Sequence, residues 1–343
     1  MKQVYLSPTG QILLKDLEAP VCKDDGILVR TEYSLISTGT ESSVIAQFRK
    51  NGVEGQGSNI ALGYSNAGTV IEVGPNAKER IKVGDRVACA GGGHASHSEI
   101  CYVPNNLFVK LPENVSEKEA AFNALAAIAL HGFRRGEACL GDWVTVIGLG
   151  MIGLLTVQFA KIAGTKVIAI DLAEDRLALA KSLGADYCIN GSQENAIEKV
   201  IELTNRRGAD VSIVCAGSPN SSKPLCDAIE MCREKGKVVM VGLVKLDFPR
   251  DTLYNKEIDL LISRSYGPGR YDLSYEEEGH DYPYGYVRWT ENRNMEAYID
   301  LLSAGKIDVQ PLISYISPID QCQEVYENII NASEKPIAVL LKY

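Results

Sequence analysis

The spacing of hydrophobic and polar positions changes character once along this chain. Before about Ser116, apolar residues come in short, mostly alternating runs, ILLKDL, GILVRTEYSLIS, AGTVIEV, DRVACA, EICYVP and LFVKLP, separated by Gly, Pro, Asn and Asp. Short β-like runs bounded by turn residues predict strands, and a series of them predicts an irregular β-barrel or sandwich. From Ser116 the stretch SEKEAAFNALAAIALHGF opens with a Ser-x-x-Glu capping box and continues Ala-rich and helical. Beyond it VTVIG, KVIAI, DYCIN, VSIVC, KVVMVG and LLISRS alternate with helical segments, the pattern of a doubly wound parallel sheet. A polar, aromatic stretch follows, then a helical NMEAYIDLLSAGK and a strand-like IAVLLKY that has no βαβ partner and is expected to rejoin the first domain. The expected division is residues 1–118 with 268–343, and residues 119–267.

Composition narrows the function. A chain of 343 residues, 45% apolar and 23% charged, suits two globular units with sizeable cores. The net charge of -9 without a Lys/Arg run argues against nucleic acid or an anionic membrane and favours a small polar molecule as partner. Nine cysteines occur without a C-x-x-C pair, and residues 1–10 lack a secretory pattern, so reduced thiols in a cytoplasmic protein are expected. The longest largely apolar uncharged segment, residues 120–133, falls short of the roughly 20 residues that span a bilayer.

The strongest chemical signal is VTVIGLGMIGLLTVQFAKIAGTKVIAID, in which Gly148, Gly150 and Gly153 form G-x-G-x-x-G between a strand and a helix. Gly148 permits the tight turn, Gly150 lets backbone N–H groups approach a pyrophosphate, and Gly153 allows helix–strand packing. Leu149, Met151 and Ile152 complete the loop, and Ala216 and Gly242 complete the cofactor set. Asp171 ends the next strand, where an acid accepts from the ribose hydroxyls and repels a 2′-phosphate, so NAD is expected over NADP. Arg176 is the residue that would rescue NADP binding, although a solvated place on the following helix is its simpler reading.

The order of parts resembles the medium-chain dehydrogenase/reductase superfamily over essentially the whole chain. LGYSNAGTVIEVGPNA, KVGDRVACA, DWVTVIGLGMIG, DLAEDRLALAKSLGAD and CREKGKVVMVGL carry the likeness in order. The resemblance implies a GroES-like β domain, a Rossmann domain, a catalytic cleft between them and homo-oligomerisation. SLISTGTESSV, SRSYGPGRYD and YGYVRWTENRNMEAY further resemble the dehydrogenase half of bi-domain oxidoreductases. That likeness implies a separate glucose-fructose-oxidoreductase-type protein as a partner. At the positions where zinc members hold their catalytic metal this chain carries Ser37 or Thr38, Tyr64 with Ser65, and an apolar run around residues 123–126. Neutral hydroxyls compete poorly with water for zinc, and the four-cysteine structural lobe is missing, so a zinc-free protein is expected. The rival metal reading places an ion among Cys89, His94, His97, Glu99 and Cys101.

Hydride transfer at a carbinol carbon develops charge on oxygen, and a tyrosine hydroxyl can supply the proton that zinc would otherwise replace. Tyr64 is the candidate, assisted by Ser37 or Thr38 and by Glu41, with its pKa lowered toward phenolate beside a positive nicotinamide; the competing reading is that Tyr64 fills the volume of a lost metal site. His97 is a candidate proton relay lining the substrate cleft, and His94 reads as a solvated loop residue. The tyrosine-rich stretch 266–293 offers stacking faces and polar ends for a sugar or cyclitol. Arg264, Tyr266, Arg270, Tyr271, Arg288 and Trp289 are its first candidates, against a surface loop or subunit contact. The expected function is zinc-independent, NAD-preferring oxidation and reduction of a secondary alcohol and ketone on a polar substrate. The alternatives are quinone or C=C reduction on the same fold and a catalytically silent NAD(H)-binding partner.

Overall fold

Strand Gly26–Ile36 organises the first unit of the computed structural model, which describes residues 1–51, 58–77 and 81–343. One edge of this strand pairs antiparallel with Ser65–Val73. Its other edge is shared: residues 26–30 pair with Ile100–Pro104, and residues 33–36 with Ala338–Lys342. Register shifts at Leu28/Val29 and Thr31/Tyr33 bend the strand enough to serve both. The sheet continues through Arg86–Ala90 to Phe108–Lys110 on one side and ends at Ile313–Pro318 on the other. A second, three-stranded sheet is built from Lys2–Leu6, Ile12–Asp16 and Ile60–Ala61. Apolar side chains at alternate positions, among them Ile27, Val29, Val87 and Val103, are fully buried in one core cluster of the larger sheet. The strand at Ile313–Pro318 escaped the sequence reading because its middle residues are largely exposed and it shows no alternation.

Helices fill in around the sheet. Ser116 and Glu119 form the reciprocal capping box that S-x-x-E announces. The C-terminal helix Cys322–Asn331 buries Cys322, Val325, Tyr326 and Ile329 against Val4, Ile36 and Leu341. The last strand thus returns to the first unit, which comprises Met1–Leu125, Pro268–Gly305 and Val309–Tyr343.

The second unit comprises Ala126–Gly267 and Lys306–Asp308. The boundary falls inside helix Asn123–Gly136 rather than at its preceding cap, where the sequence pattern changes. Lys306–Asp308 joins this unit because the Gln158 side chain pairs with the Asp308 backbone, donating to its carbonyl at 3.0 Å and accepting from its N–H at 2.9 Å. Six parallel strands run in the order Tyr187–Asn190, Lys166–Asp171, Trp143–Ile147, Ala209–Val214, Cys232–Met240 and Asp259–Ile262. Strand order reverses between Trp143–Ile147 and Ala209–Val214, and the crevice at their carboxyl ends is where open α/β sheets bind ligands. Among the described residues no helix is long and apolar enough to cross a membrane.

Candidate active site

The glycine loop lies at this reversal point. Gly148 has φ +91°, and a Cβ there would stand 2.7 Å from the backbone nitrogen of Ala216, so only glycine passes. A Cβ on Gly153 would approach the Gly148 carbonyl oxygen to 1.9 Å, which fixes helix Met151–Ile162 against the turn. Gly242 is likewise held against Ala216, whose carbonyl oxygen lies 2.2 Å from a Cβ built there. Gly150 is different. It caps the helix without a side-chain bond, and a Cβ there would meet nothing within 4 Å. This open cradle at a helix N-terminus fits a dinucleotide pyrophosphate. Leu149 and Met151 are buried and Ile152 is half-buried.

Asp171 borders the cradle. Its carboxylate accepts from the backbone N–H groups of Leu149 at 2.6 Å, Leu172 at 2.7 Å and Ala173 at 3.1 Å. The acid is thereby tied to the glycine loop itself. Arg176 departs from the solvated position expected of it: its side chain is only 15% exposed and approaches Asp175 at 3.5 Å.

The first unit holds a second cluster, built from residues far apart in the chain. Helix Thr40–Asn51 follows the central strand, and in its first turn Glu41 folds back to accept the Ser37 N–H at 2.8 Å. The other carboxylate oxygen accepts from His97 Nε2 at 3.2 Å and from the Tyr326 hydroxyl. Because a carboxylate only accepts, the proton of His97 sits on Nε2, and Nδ1 faces the Ser34 hydroxyl at 2.7 Å. Ser34 in turn meets the Tyr343 hydroxyl at 2.8 Å. Gly63, at φ +90°, lies against the imidazole, with a Cβ there 2.7 Å from His97 Cγ.

Tyr64 follows Gly63 and hydrogen-bonds the side chains of Ser37 and Thr40. Burial, reinforced by the Glu41 charge, pushes its hydroxyl up to about 12 against those two bonds. The free protein thus holds this hydroxyl up, and the lowering expected of it belongs to the state with a positive nicotinamide beside it. Two corrections concern partners: the Thr38 hydroxyl is taken by the Ile337 carbonyl at 3.3 Å, leaving Thr40 as the second partner of Tyr64. His97 is 0% exposed and stands behind Glu41 rather than lining a cleft.

These donors do not fit zinc. Ser37 and Tyr64 present hydroxyls, and the Ser65 hydroxyl is committed to the Ala121 carbonyl at 2.6 Å and the Ala124 N–H at 3.1 Å. The Asn123 amide nitrogen is engaged by backbone carbonyls, and its remaining Oδ1 is a neutral amide oxygen, a poor ligand for zinc. The rival set around the GGG turn disperses: Cys89 is in the core, Cys101 bonds Asn66 and Ser96, and Glu99 accepts from the Lys2 N–H at 2.7 Å. His94 is half-buried, which lowers its pKa, rather than solvated. Among the described residues no three His, Cys, Asp or Glu side chains are placed to share a metal.

The residues expected to recognise substrate separate into three places. Arg264 and Tyr266 belong to the second unit, where Arg264 is exposed and Tyr266 is buried, which removes Tyr266 as a contact surface in this conformation. Arg288, exposed, lies 3.8 Å from the Trp289 ring centre and 4.6 Å from that of Tyr284. Arg270 and Tyr271 form the third place, stacked at 4.1 Å. Tyr271 adds the smallest of the influences that raise the Tyr64 hydroxyl. Ser34, Thr40, Tyr326 and Tyr343 were not anticipated, and no local motif marks them.

A dinucleotide cradle on a doubly wound sheet, joined to a β domain carrying a proton-bearing hydroxyl cluster, defines an NAD(P)-dependent oxidoreductase acting on CH–OH and C=O groups. Comparison agrees: residues 10–113 match the alcohol dehydrogenase GroES-like domain and residues 151–277 the zinc-binding dehydrogenase domain. The chain belongs to the medium-chain, zinc-type alcohol dehydrogenase superfamily. It is 26% identical to the uncharacterized zinc-type alcohol dehydrogenase-like protein YdjJ of Escherichia coli (strain K12), over 99% of this chain and 98% of that protein. It is also 26% identical to D-arabitol-phosphate dehydrogenase of Enterococcus avium, over 99% and 97%. The crystal structure of galactitol-1-phosphate dehydrogenase from Escherichia coli superposes with a TM-score of 0.83 at 23% identity, covering all of both chains.

Proposed function

We propose that the chain is a zinc-independent, NAD-preferring dehydrogenase that interconverts a secondary alcohol and a ketone on a polyol-like substrate, with Tyr64 meeting the reacting oxygen. One observation carries the reading: a tyrosine hydroxyl on Ser37 and Thr40 stands beside the buried Glu41–His97 pair, and the family resemblance puts the histidine of zinc members at that sequence position. The polyol class is supported by the likeness to a D-arabitol-phosphate dehydrogenase and by the aromatic, polar stretch whose Tyr271 helps raise the Tyr64 hydroxyl. NAD preference is supported by Asp171 at the rim of the cradle and by Arg176 turning to Asp175.

When bound, NAD supplies the acceptor or donor of hydride. Gly148, Gly150 and the first turn of helix Met151–Ile162 would hold its pyrophosphate, and Asp171 its adenosine ribose. The chain's own part is proton management. Burial and the Glu41 charge keep the phenolic proton on Tyr64 at neutral pH, ready for a ketone oxygen as that atom gains charge. Ser37 and Thr40 can return a proton to Tyr64, and Thr40 is exposed to solvent. His97 and Glu41 position Ser37 from behind. Self-association belongs to the same reading, because the outermost strand Asp259–Ile262 leaves Ile262 57% exposed; light scattering decides it.

Single-turnover hydride transfer by Tyr64→Phe is the test, run beside a metal analysis of untagged protein. A rate within a few fold of wild type removes Tyr64 from the chemistry. One equivalent of zinc per chain removes the zinc-independent mechanism.

A further inference from the structure

The aromatic stretch contains a buried acid that the hydroxyl cluster does not use. Glu291 opens helix Glu291–Ser303, is 0% exposed, and has no hydrogen-bond partner on either carboxyl oxygen. Its N–H donates to the Pro268 carbonyl at 2.8 Å, which ties it to the turn that follows Pro268. The charged and titratable groups acting on or facing it are Glu276, Arg270, Tyr275 and Tyr282. Glu276 is also buried but fully served: it accepts from Arg270 Nη1 at 2.5 Å and from the Tyr271 N–H at 3.1 Å. Two acids of similar burial thus differ completely in supply. A buried acceptor pair left unserved is rare in native proteins and concentrates at functional sites.

The same turn is linked electrostatically to Tyr64. Tyr271 acts on Tyr64, and Arg270 Nη2 lies 3.5 Å from where a Cβ on Gly92 would stand. Tyr271 is 54% exposed and adopts φ +68°, between Gly269 at +105° and the helix that carries Glu276. An aromatic residue in the left-handed region is unfavourable. Tyr271, in the segment tied to Glu291 through Pro268, is therefore a strained residue of this stretch.

We propose that Glu291 is a substrate-recognition carboxyl that takes a vicinal diol of an unphosphorylated polyol, one hydroxyl on each oxygen. This rests on the polyol dehydrogenase reading and names the part of the substrate that reading leaves open. Adjacent hydroxyls offer two donors to the two acceptors of one carboxylate. A phosphate on the same polyol is disfavoured, because binding the diol turns Glu291 into a second carboxylate beside Glu276, and the Nη1 of Arg270 is already paired with Glu276. Burial first, then the Glu276 charge, raise Glu291 to about 9 against the pull of Arg270. The acid is therefore protonated at pH 7. Diol donors favour the charged form, so binding releases a proton, and affinity rises from pH 6 toward 9.

Isothermal titration calorimetry on NADH-saturated protein tests this, with myo-inositol and D-arabitol as neutral probes and D-arabitol phosphate as the anionic control. Two buffers of different ionisation heat at pH 7 report the proton. Both neutral polyols are expected to bind with proton release, and the phosphate at least tenfold more weakly. In Glu291→Gln the release should vanish and neutral-polyol binding should weaken at least tenfold. Unchanged affinity and release in the variant, equal binding of the phosphate, or no binding of either neutral polyol to wild type overturns the proposal. Should the variant fail to fold, a wild-type affinity that is flat between pH 6 and 8 overturns it equally. Turnover of the same polyols with NAD is scored separately. Turnover without proton release removes only Glu291; binding with release but no turnover removes only the dehydrogenase reading.

Discussion

The glycine loop and the tyrosine cluster perform comparable tasks, each presenting hydrogen-bonding groups to a ligand, but they are built in opposite ways. The loop is backbone: its shape is set by Gly148, Gly150 and Gly153 within six residues, and its donors are peptide N–H groups. The cluster is side chain: Ser34, Glu41, Tyr64, His97, Tyr326 and Tyr343 come from four stretches of sequence. The backbone site tolerates no added atoms at Gly148 or Gly153 and carries no titrating group of its own. A side-chain site tolerates changes of shape but is sensitive to every proton. The lesson is that damage to the two should look different: loss of binding and stability in one, altered pH behaviour and rate in the other.

The largest expected effect tests the backbone side. Gly153→Ala puts a Cβ 1.9 Å from the Gly148 oxygen and should cost about 3 kcal/mol with loss of NADH binding, read by thermal melting and fluorescence titration. Unchanged melting would break the comparison. Next, Tyr64→Phe should slow hydride transfer by about a hundredfold while leaving NADH affinity and melting temperature near wild type. Asp171→Ala should weaken NADH by about tenfold and NADPH much less; equal losses would return the acid to a purely structural role in holding Leu149.

The smaller effects sharpen the side-chain half. Tyr64 is raised to about 12, so reduction, which needs its proton, should be flat through neutral pH and fall only as pH approaches that value. Glu41→Gln removes a charge that contributes to this rise, so the alkaline limb should move to lower pH; a limb that stays put would show that another group titrates. The smallest effect is on metal removal: dialysis against a strong chelator should leave turnover unchanged, and a loss restored by zinc would overturn the hydroxyl mechanism.

Legibility in the sequence followed the same division. Alternating strands, the Ser116 capping box, the βαβ alternation and the glycine loop are local patterns, and each appears where the residues place it. The hydroxyl at position 64 was also readable, since a motif position fixes it. Its partners were less so. Whether Thr38 or Thr40 turns toward Tyr64 depends on how the first turn of helix Thr40–Asn51 is wound, and Tyr326 lies 285 residues from the Glu41 it serves. The burial of His97 and Tyr266 likewise depends on packing from distant segments, which periodicity within a short window cannot report. Glu291 reads as a helix-opening acid, an ordinary surface position, and only burial reveals its lack of partners.

The shared edge of strand Gly26–Ile36 bears on how the molecule is made. Half of that edge is completed by residues 100–104, but the other half waits for residues 339–342. During synthesis the six-stranded sheet has all its strands by residue 262, while the first unit still exposes an unpaired strand edge. Since domains fold as units while the chain emerges, the parallel sheet is expected to form ahead of the β domain that precedes it in sequence. That open edge, flanked by apolar Leu35 and Ile36, is the place where a stalled or truncated chain would pair with the wrong neighbour.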